Sequence, residues 1–434
     1  MVALLKFAIS TYSRLLLSIL FVFINGLIGG FIAAAVSLVG IALFLNLRNQ
    51  LFYLLGIFLL IFIMGDNYKG AFFFFQNLRF LVLGLSLVLL FKYQLFQNNP
   101  GNVFIPFTIY AFVVSMALSP IGLGSVLRSL GFWLVAITLF KLIQLFSANA
   151  RVYTVSFIIS ILFLFCIVQL SLYFFPVYQD SFLVGRFKGL MANPNGLGLL
   201  SLLCYSLIVF FRDYETSFFP RNFLYFLQLT FLFFIVVSGS RTALISVLSF
   251  EFLLRVRTSP LVLIISLVVF VGMNVFLSIS TSLDFLSSFG LSNTLRTESI
   301  ATGSGRLEVW QVAYNTFIKD PWIGKGMGYD DYFIDSYSNK FIGENKSRQW
   351  NGIWNSYLSM GLNVGLLGMG LYGYAWYRMY QLSSYTVFRF AFLGLCLASA
   401  VTESWMAASM NAFMPFVFLI WAFQIYPSNV ISKA

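Results

Sequence analysis

Residues 152–175 read VYTVSFIISILFLFCIVQLSLYFF, an unbroken run with no charged side chain. As an α-helix, with its rise of 1.5 Å per residue, the run covers roughly 36 Å, more than the ~30 Å hydrocarbon core of a bilayer. Backbone in lipid must satisfy its own hydrogen bonds, which leaves a helix or a strand of a closed barrel. A barrel strand needs only about ten residues and alternates apolar with polar side chains. This run does neither, so it is a membrane helix.

Working outward from it, comparable apolar segments fall near 14–30, 31–47, 51–65, 78–93, 102–118, 131–146, 196–211, 222–238, 242–256, 259–278, 356–377, 387–402 and 411–426. The first two read equally as two spans or as one broken element. The chain has 434 residues, 60% hydrophobic and 9% charged, with a mean hydropathy of +0.90. An ordinary soluble domain is about a quarter charged, so a soluble fold is excluded. The expected fold class is an all-α polytopic membrane protein with about 12–14 transmembrane helices. Lys6, Arg14 and Ala33–Ala35 imitate a signal peptide, but the apolar run continues to Leu47 and reads as retained helix.

One interruption stands apart. Residues 279–355 hold 15 of the chain's 40 charged residues, seven basic and eight acidic. The expected organisation is an N-terminal bundle over 1–278, a loop subdomain over 279–355 and C-terminal membrane helices over 356–434.

Cys166, Cys204 and Cys396 each lie in an apolar run and read as small buried hydrophobes. There is no histidine, which removes histidine bases and histidine-ligated metals. No metal or other cofactor is expected, a carboxylate-only magnesium or manganese site being the alternative.

The net charge of +12 comes from cations scattered singly between apolar segments, so topology explains it better than nucleic acid, and no nucleic-acid partner is expected. Fourteen spans with both ends cytoplasmic put Arg48, Lys92, Lys141, Arg151, Arg212, Arg221, Arg255, Arg257, Arg378 and Arg389 on or toward the inside. The 279–355 loop then faces outward. Four cations escape this sorting: Arg186, Lys188, Arg241 and Arg306. Lipid phosphate or a loop carboxylate accounts for any one of them. Four together on one side point to an external anionic ligand.

These cations sit in four motifs. The first is Val184-Gly185-Arg186-Phe187-Lys188-Gly189-Leu190-Met191-Ala192-Asn193-Pro194-Asn195-Gly196. Asn193 and Pro194 form a helix entry, and a helix N-terminus beside two cations suits an anion. The second is Ser238-Gly239-Ser240-Arg241-Thr242-Ala243, a small-residue turn with Arg241 opening the next helix. The third runs from Gly303-Ser304-Gly305-Arg306 to Gly324-Lys325-Gly326-Met327-Gly328. Between them Leu307, Trp310, Tyr314, Phe317 and Ile318 recur at helical spacing, which predicts an amphipathic helix on the membrane face that Asp320-Pro321 stops. The glycines do not have P-loop spacing. The fourth is Trp354-Asn355 followed by Gly365-Leu366-Leu367-Gly368, whose glycines read as sites of close helix packing.

Taken together, over residues 184–368, the four motifs resemble the O-antigen ligase/O-antigen polymerase superfamily of bacterial membrane enzymes. The resemblance implies a glycosyltransferase of GT-C type acting on the outer face of the plasma (inner) membrane. Its substrate would be an oligosaccharide on undecaprenyl pyrophosphate, and its surroundings membrane lipids. A chain-length regulator and a flippase would be its candidate protein partners. The family's pyrophosphate-holding arginines match Arg186, Arg241 and Arg306. Ligases of the family carry a histidine just before the asparagine of the fourth motif. Trp354 stands there instead and favours the polymerase branch, with ligase activity toward lipid A-core or another acceptor as the alternative.

On this reading Asn193, Asn195, Ser240, Trp354 and Asn355 complete the substrate site, and Lys188 and Lys325 supply a second, weaker phosphate contact. A base for the acceptor hydroxyl would come from Asp330, Asp331, Asp335 or Glu344, although a solvated acidic loop is the plainer reading of each. Trp350, Trp354 and Tyr357 could stack on sugar faces, as interfacial aromatics also would without a sugar. A lipid-linked oligosaccharide transporter is the rival from another class. Transporters place ionisable groups at mid-membrane. Here Lys141 and Glu251 sit toward span ends, with Glu251 spaced to pair with Arg255.

Overall fold

The computed structural model describes residues 2–48, 51–67, 72–175, 181–183, 185–256, 261–262, 264–265, 268–269, 306–341 and 352–427. They are almost entirely helical, apart from one short hairpin in which Phe182 pairs with Phe187 and Leu183 with Arg186. Five helices are long and apolar enough to cross a membrane: Ser13–Leu47, Pro100–Leu118, Leu123–Phe146, Ala150–Phe174 and Pro194–Tyr214. Shorter apolar helices accompany them at Phe52–Met64, Phe75–Phe91, Arg221–Val237, Thr386–Thr402 and Met414–Ile425. The protein is therefore a multi-pass membrane protein. Most of the apolar segment 259–278 lies outside the described residues.

The chain forms two compact units. The first comprises residues 1–100, 134–240 and 410–434. It contains α1 (Val2–Leu47), α2 (Phe52–Met64), α3 (Phe75–Phe91), most of α5 (Leu123–Phe174), the hairpin β1–β2 (Phe182–Leu183, Arg186–Phe187), α6 (Pro194–Tyr214), α7 (Arg221–Val237) and α13 (Met414–Ile425). The two apolar segments at the N-terminus are one element. α1 breaks at Gly29–Gly30, where Gly30 takes a φ of +64° that a side chain would resist. α5 likewise joins two expected spans and breaks at Ala150. Helix α6 is the centre of this unit, buried from Pro194 to Phe211 with α7 and α13 packed on it. Between helices in lipid, close van der Waals packing of small residues replaces the hydrophobic drive. Gly198 supplies it, since a Cβ there would stand 2.4 Å from the Ser240 Cβ.

At one end of this unit Arg151 grips Glu215 through two hydrogen bonds and also donates to the carbonyls of Phe423 and Tyr426. At the other, Arg79 donates to the carbonyls of Phe62 and Met410 at 2.7 and 2.8 Å.

The second unit comprises residues 101–133 and 241–409. It contains α4 (Ile105–Leu118), the start of α5, α8 (Arg241–Arg255), α9 (Arg306–Phe317), α10 (Tyr329–Phe341), α11 (Ser356–Leu382) and α12 (Thr386–Thr402). α12 lies along α8, and α11 receives α4, α9, α10 and α12. α9 is a helix where the third motif predicts one and ends before Asp320-Pro321, but its buried face carries Val309 and Ala313, while Tyr314 and Ile318 of the expected apolar stripe are exposed. The Arg255–Glu251 pair forms at 2.6 Å.

α11 departs from the expectation of plain close packing at Gly365. That residue has a φ of +63° and interrupts the helix. The reason is the loop 321–326, which lies in the break. Leu366 and Leu367 amides donate to the carbonyls of Pro321 and Trp322 at 2.8 and 3.1 Å, and the carbonyls of Leu362 and Asn363 accept from Lys325 and Gly326 at 2.9 and 2.8 Å. These four bonds use the backbone groups that a broken helix would otherwise strand, as non-helical backbone at membrane depth requires. Gly324 and Gly326, at φ of +80° and +96°, let the loop lie this close, and a Cβ on Gly324 would meet the Val364 amide at 2.5 Å. The glycine runs of the third and fourth motifs are thus two halves of one joint.

Candidate functional site

In the first unit the first two motifs meet. Asn193 caps α6, its side chain accepting from the Gly196 amide at 2.8 Å. Arg186 Nε donates to the Ser238 carbonyl at 2.7 Å, and its Nη2 to Asn195 Oδ1 at 2.6 Å. Ser240 is buried in the same turn, its amide donating to Ser238 Oγ. One guanidinium therefore clips the turn that leads into Arg241 onto the head of α6. Lys188 is buried, and its amide donates to the Ser181 carbonyl at 2.9 Å. Asp66, which the motif reading passed over, accepts from the Ala192 amide at 3.2 Å and lies 4.0 Å from Arg79. Burial raises its carboxyl above the usual range, against the pull of Arg79 and the Ala192 amide.

In the second unit the heads of α8 and α9 meet the end of α12. Arg306 opens α9 and donates from Nη1 to the Thr402 carbonyl at 2.7 Å and from Nη2 to Glu403 Oε1 at 3.3 Å. Arg241 opens α8, and its neighbour Thr242 shares a 2.6 Å hydroxyl hydrogen bond with Thr402. The Arg306 guanidinium stands 5.6 Å from the Trp354 ring. Trp354 has a φ of +49°, a conformation that costs a bulky residue about 1–3 kcal/mol and persists where its surroundings over-determine it. Asn355 caps α11 through the Leu358 amide at 3.0 Å, and Ser356 Oγ donates to the Glu403 carbonyl at 2.6 Å. Glu403, also absent from the motif reading, is thus tied to both the third and the fourth motif.

The loop carboxylates differ from one another. Asp331 is exposed and pairs with Arg128 at 2.6 Å. Asp335 is exposed on α10. Asp330 is bound by Asn363, and burial, helped by the charge of Asp331, raises its carboxyl to about 7. Lys325 lies 5.8 Å from the Tyr329 ring. Tyr357 donates its hydroxyl to the Leu397 carbonyl at 2.9 Å. It also lines an apolar cavity of about 470 Å³ with Met360, Tyr372, Trp376 and Phe390. Glu344 and Trp350 lie outside the described residues. Among the described residues no group of three or more His, Cys, Asp and Glu side chains could hold a metal ion.

Two features recur. Arg241 and Arg306 are each the first residue of a helix, and Arg186 bonds a residue in the first turn of α6. A cation at such a position opposes the helix dipole, and for Arg306 the Glu403 carboxylate offsets it. Residues 226–373 match the family model described as O-antigen ligase (Wzy_C), a family that covers ligases and polymerases alike. Its members are membrane enzymes that transfer lipid-linked glycans in polysaccharide and lipopolysaccharide biosynthesis. The match takes in Arg241, Arg306, Trp354 and Gly365, while Arg186 lies before it. No curated protein matches the chain.

Proposed function

We propose that this protein is a polysaccharide polymerase. It joins undecaprenyl-pyrophosphate-linked oligosaccharide repeat units on the outer face of the bacterial inner membrane, with the 279–355 segment extracytoplasmic. The observation that carries the reading is the arrangement at Thr402, where α8 and α9, each headed by an arginine, are tied to one helix end.

Arg241 and Arg306 hold the donor's pyrophosphate, with Arg186 as the third contact on the strength of its place in the first motif. Charge-assisted bonds of this kind contribute about 1.5–3 kcal/mol each. They strengthen as the anomeric carbon–oxygen bond breaks and charge builds on the leaving phosphate. Fixed donors waiting where charge develops lower the barrier without a metal. The acceptor hydroxyl attacks from the opposite face, so configuration inverts. Lys188 and Lys325 contact the second lipid-linked sugar, and Asn195, Ser240 and Trp354 line the sugar path. Trp354, where ligases carry a histidine, favours polymerase over ligase, and the charge gathered at helix heads rather than mid-span favours an enzyme over a flippase. A chain-length regulator and a flippase are its candidate protein partners.

The test is deletion of the gene in its host, with the surface glycan resolved on a gel after complementation by wild type, Arg241→Ala and Arg306→Ala. Loss of the long ladder with single repeats still attached, unrestored by either variant at normal expression, is the expected result. Full-length glycan accumulating on its lipid carrier would move the assignment to ligase. Undiminished attached polymer would overturn both.

A further inference from the structure

We propose that Glu403 is the general base of the transfer, released for that task when the donor's phosphate occupies Arg306. The inference rests on the transferase reading above and names a residue that none of the four motifs contains.

Three observations support it. The Glu403 side chain is 12% exposed, sheltered but within reach of a bound molecule. It touches Arg306, the cation assigned to the phosphate, through a 3.3 Å contact, longer than the 2.7 Å bond from the same guanidinium to the Thr402 carbonyl. And its backbone is held by Ser356 Oγ, which also accepts from the Met406 amide at 3.1 Å, so the carboxylate sits on a fixed base. Among the charged groups on the elements around it are Arg306 at the head of α9 and Arg241 at the head of α8. The head of α11 offers only uncharged Trp354, Asn355 and Ser356.

An arriving phosphate competes for the Arg306 guanidinium and takes the outer nitrogen from Glu403, while the Thr402 carbonyl keeps the side chain in place. A carboxylate that exchanges a cation for a neighbouring anion becomes a better proton acceptor. Glu403 then removes the proton of the acceptor sugar hydroxyl as its oxygen bonds to the donor's anomeric carbon. The bond from that carbon to the phosphate oxygen breaks, its electron pair leaves with undecaprenyl pyrophosphate, and the Glu403 proton passes to water. In the absence of donor the carboxylate is paired with Arg306.

The experiment uses the full-length protein purified in detergent, with lipid-linked oligosaccharide extracted from the deletion host as substrate. Undecaprenyl pyrophosphate serves as the binding probe. Glu403→Gln, which keeps shape and an acceptor for Arg306, should lower kcat by roughly 10²-fold or more and leave probe affinity within a few-fold. Glu403→Asp should recover part of the rate, and the acid limb of the wild-type pH–kcat profile should vanish in Glu403→Gln. Should Glu403→Gln raise KM and weaken the probe while kcat and the acid limb persist, Glu403 only positions Arg306 and the proposal is overturned. Glu403→Asp controls for folding through its melting curve. Wild type that elongates nothing would instead defeat the transferase reading itself.

Discussion

Asn363 binds both the amide and the carboxylate of Asp330. Its Oδ1 accepts from the Asp330 amide at 3.0 Å, and its Nδ2 donates to Asp330 Oδ1 at 3.0 Å. Because Asn363 stands two residues before the break at Gly365, this pair fastens the head of α10 to the joint in α11.

A pH dependence follows from it. Burial holds the Asp330 carboxyl at about 7, above its ordinary 3.8. The folded protein then binds this proton more tightly than the unfolded chain, so the contribution to stability falls as pH rises from about 4 to 7 and is level above that. Asp330→Asn keeps the acceptor for Asn363 and removes the titration. Its advantage over wild type should grow across that interval to roughly 1–3 kcal/mol, discounted for the partial exposure of the residue. Melting curves at pH 5, 6, 7 and 8 check this, and a difference that does not change with pH would refute it.

Gly365→Ala should disrupt the joint. Its φ of +63° disfavours any side chain, and the added Cβ would lie 2.4 Å from the Trp322 carbonyl carbon and oxygen. A loss of about 3 kcal/mol or more is expected. Gly370→Ala, in the same helix with open space around it, should be neutral or stabilising by up to ~1 kcal/mol. Thermal unfolding in one detergent compares the two.

Arg306→Lys should fail nearly as badly as Arg306→Ala. Lysine keeps the charge but cannot serve the Thr402 carbonyl and a second oxygen through a planar fork. A fall in kcat of roughly 10²–10³ is expected, by analogy with the loss of one oxyanion donor. Recovery of wild-type rate by lysine would mean that charge alone suffices.

Asn193 Oδ1 accepts from the Gly196 amide, a cap that serine or aspartate would keep. Asn193→Ser and Asn193→Asp should therefore support a normal glycan ladder, while Asn193→Ala loses about 1 kcal/mol of stability. A ladder lost with Asn193→Ser at normal expression would support the substrate role.

Glu215→Gln should destabilise the first unit by about 3–5 kcal/mol, since it leaves the Arg151 charge buried against a neutral partner. Denaturation midpoints of the two proteins measure it.

What was legible in the sequence was local. The helix entry at Asn193, the start of α8 at Arg241 and the stop of α9 before Pro321 all depend on neighbours within a few positions, and each stands where its residues imply. Asp66 and Glu403 had no such signal. Each is a lone acidic residue at the edge of an apolar run, and Glu403 meets Arg306 across 97 positions of chain. Only folding makes that pair. Gly365 was read as a packing glycine because a helix break and a close contact use the same residue. The loop that occupies the break, some forty positions earlier, is what distinguishes them.

The joint in α11 also has a mechanical meaning. The most hydrophilic stretch of the chain would, by composition, be a flap free to swing over the bilayer. Four backbone bonds and three glycines splice residues 321–326 into a membrane helix instead. A displacement of that loop would therefore have to carry both flanks of the break in α11 with it, or part those bonds.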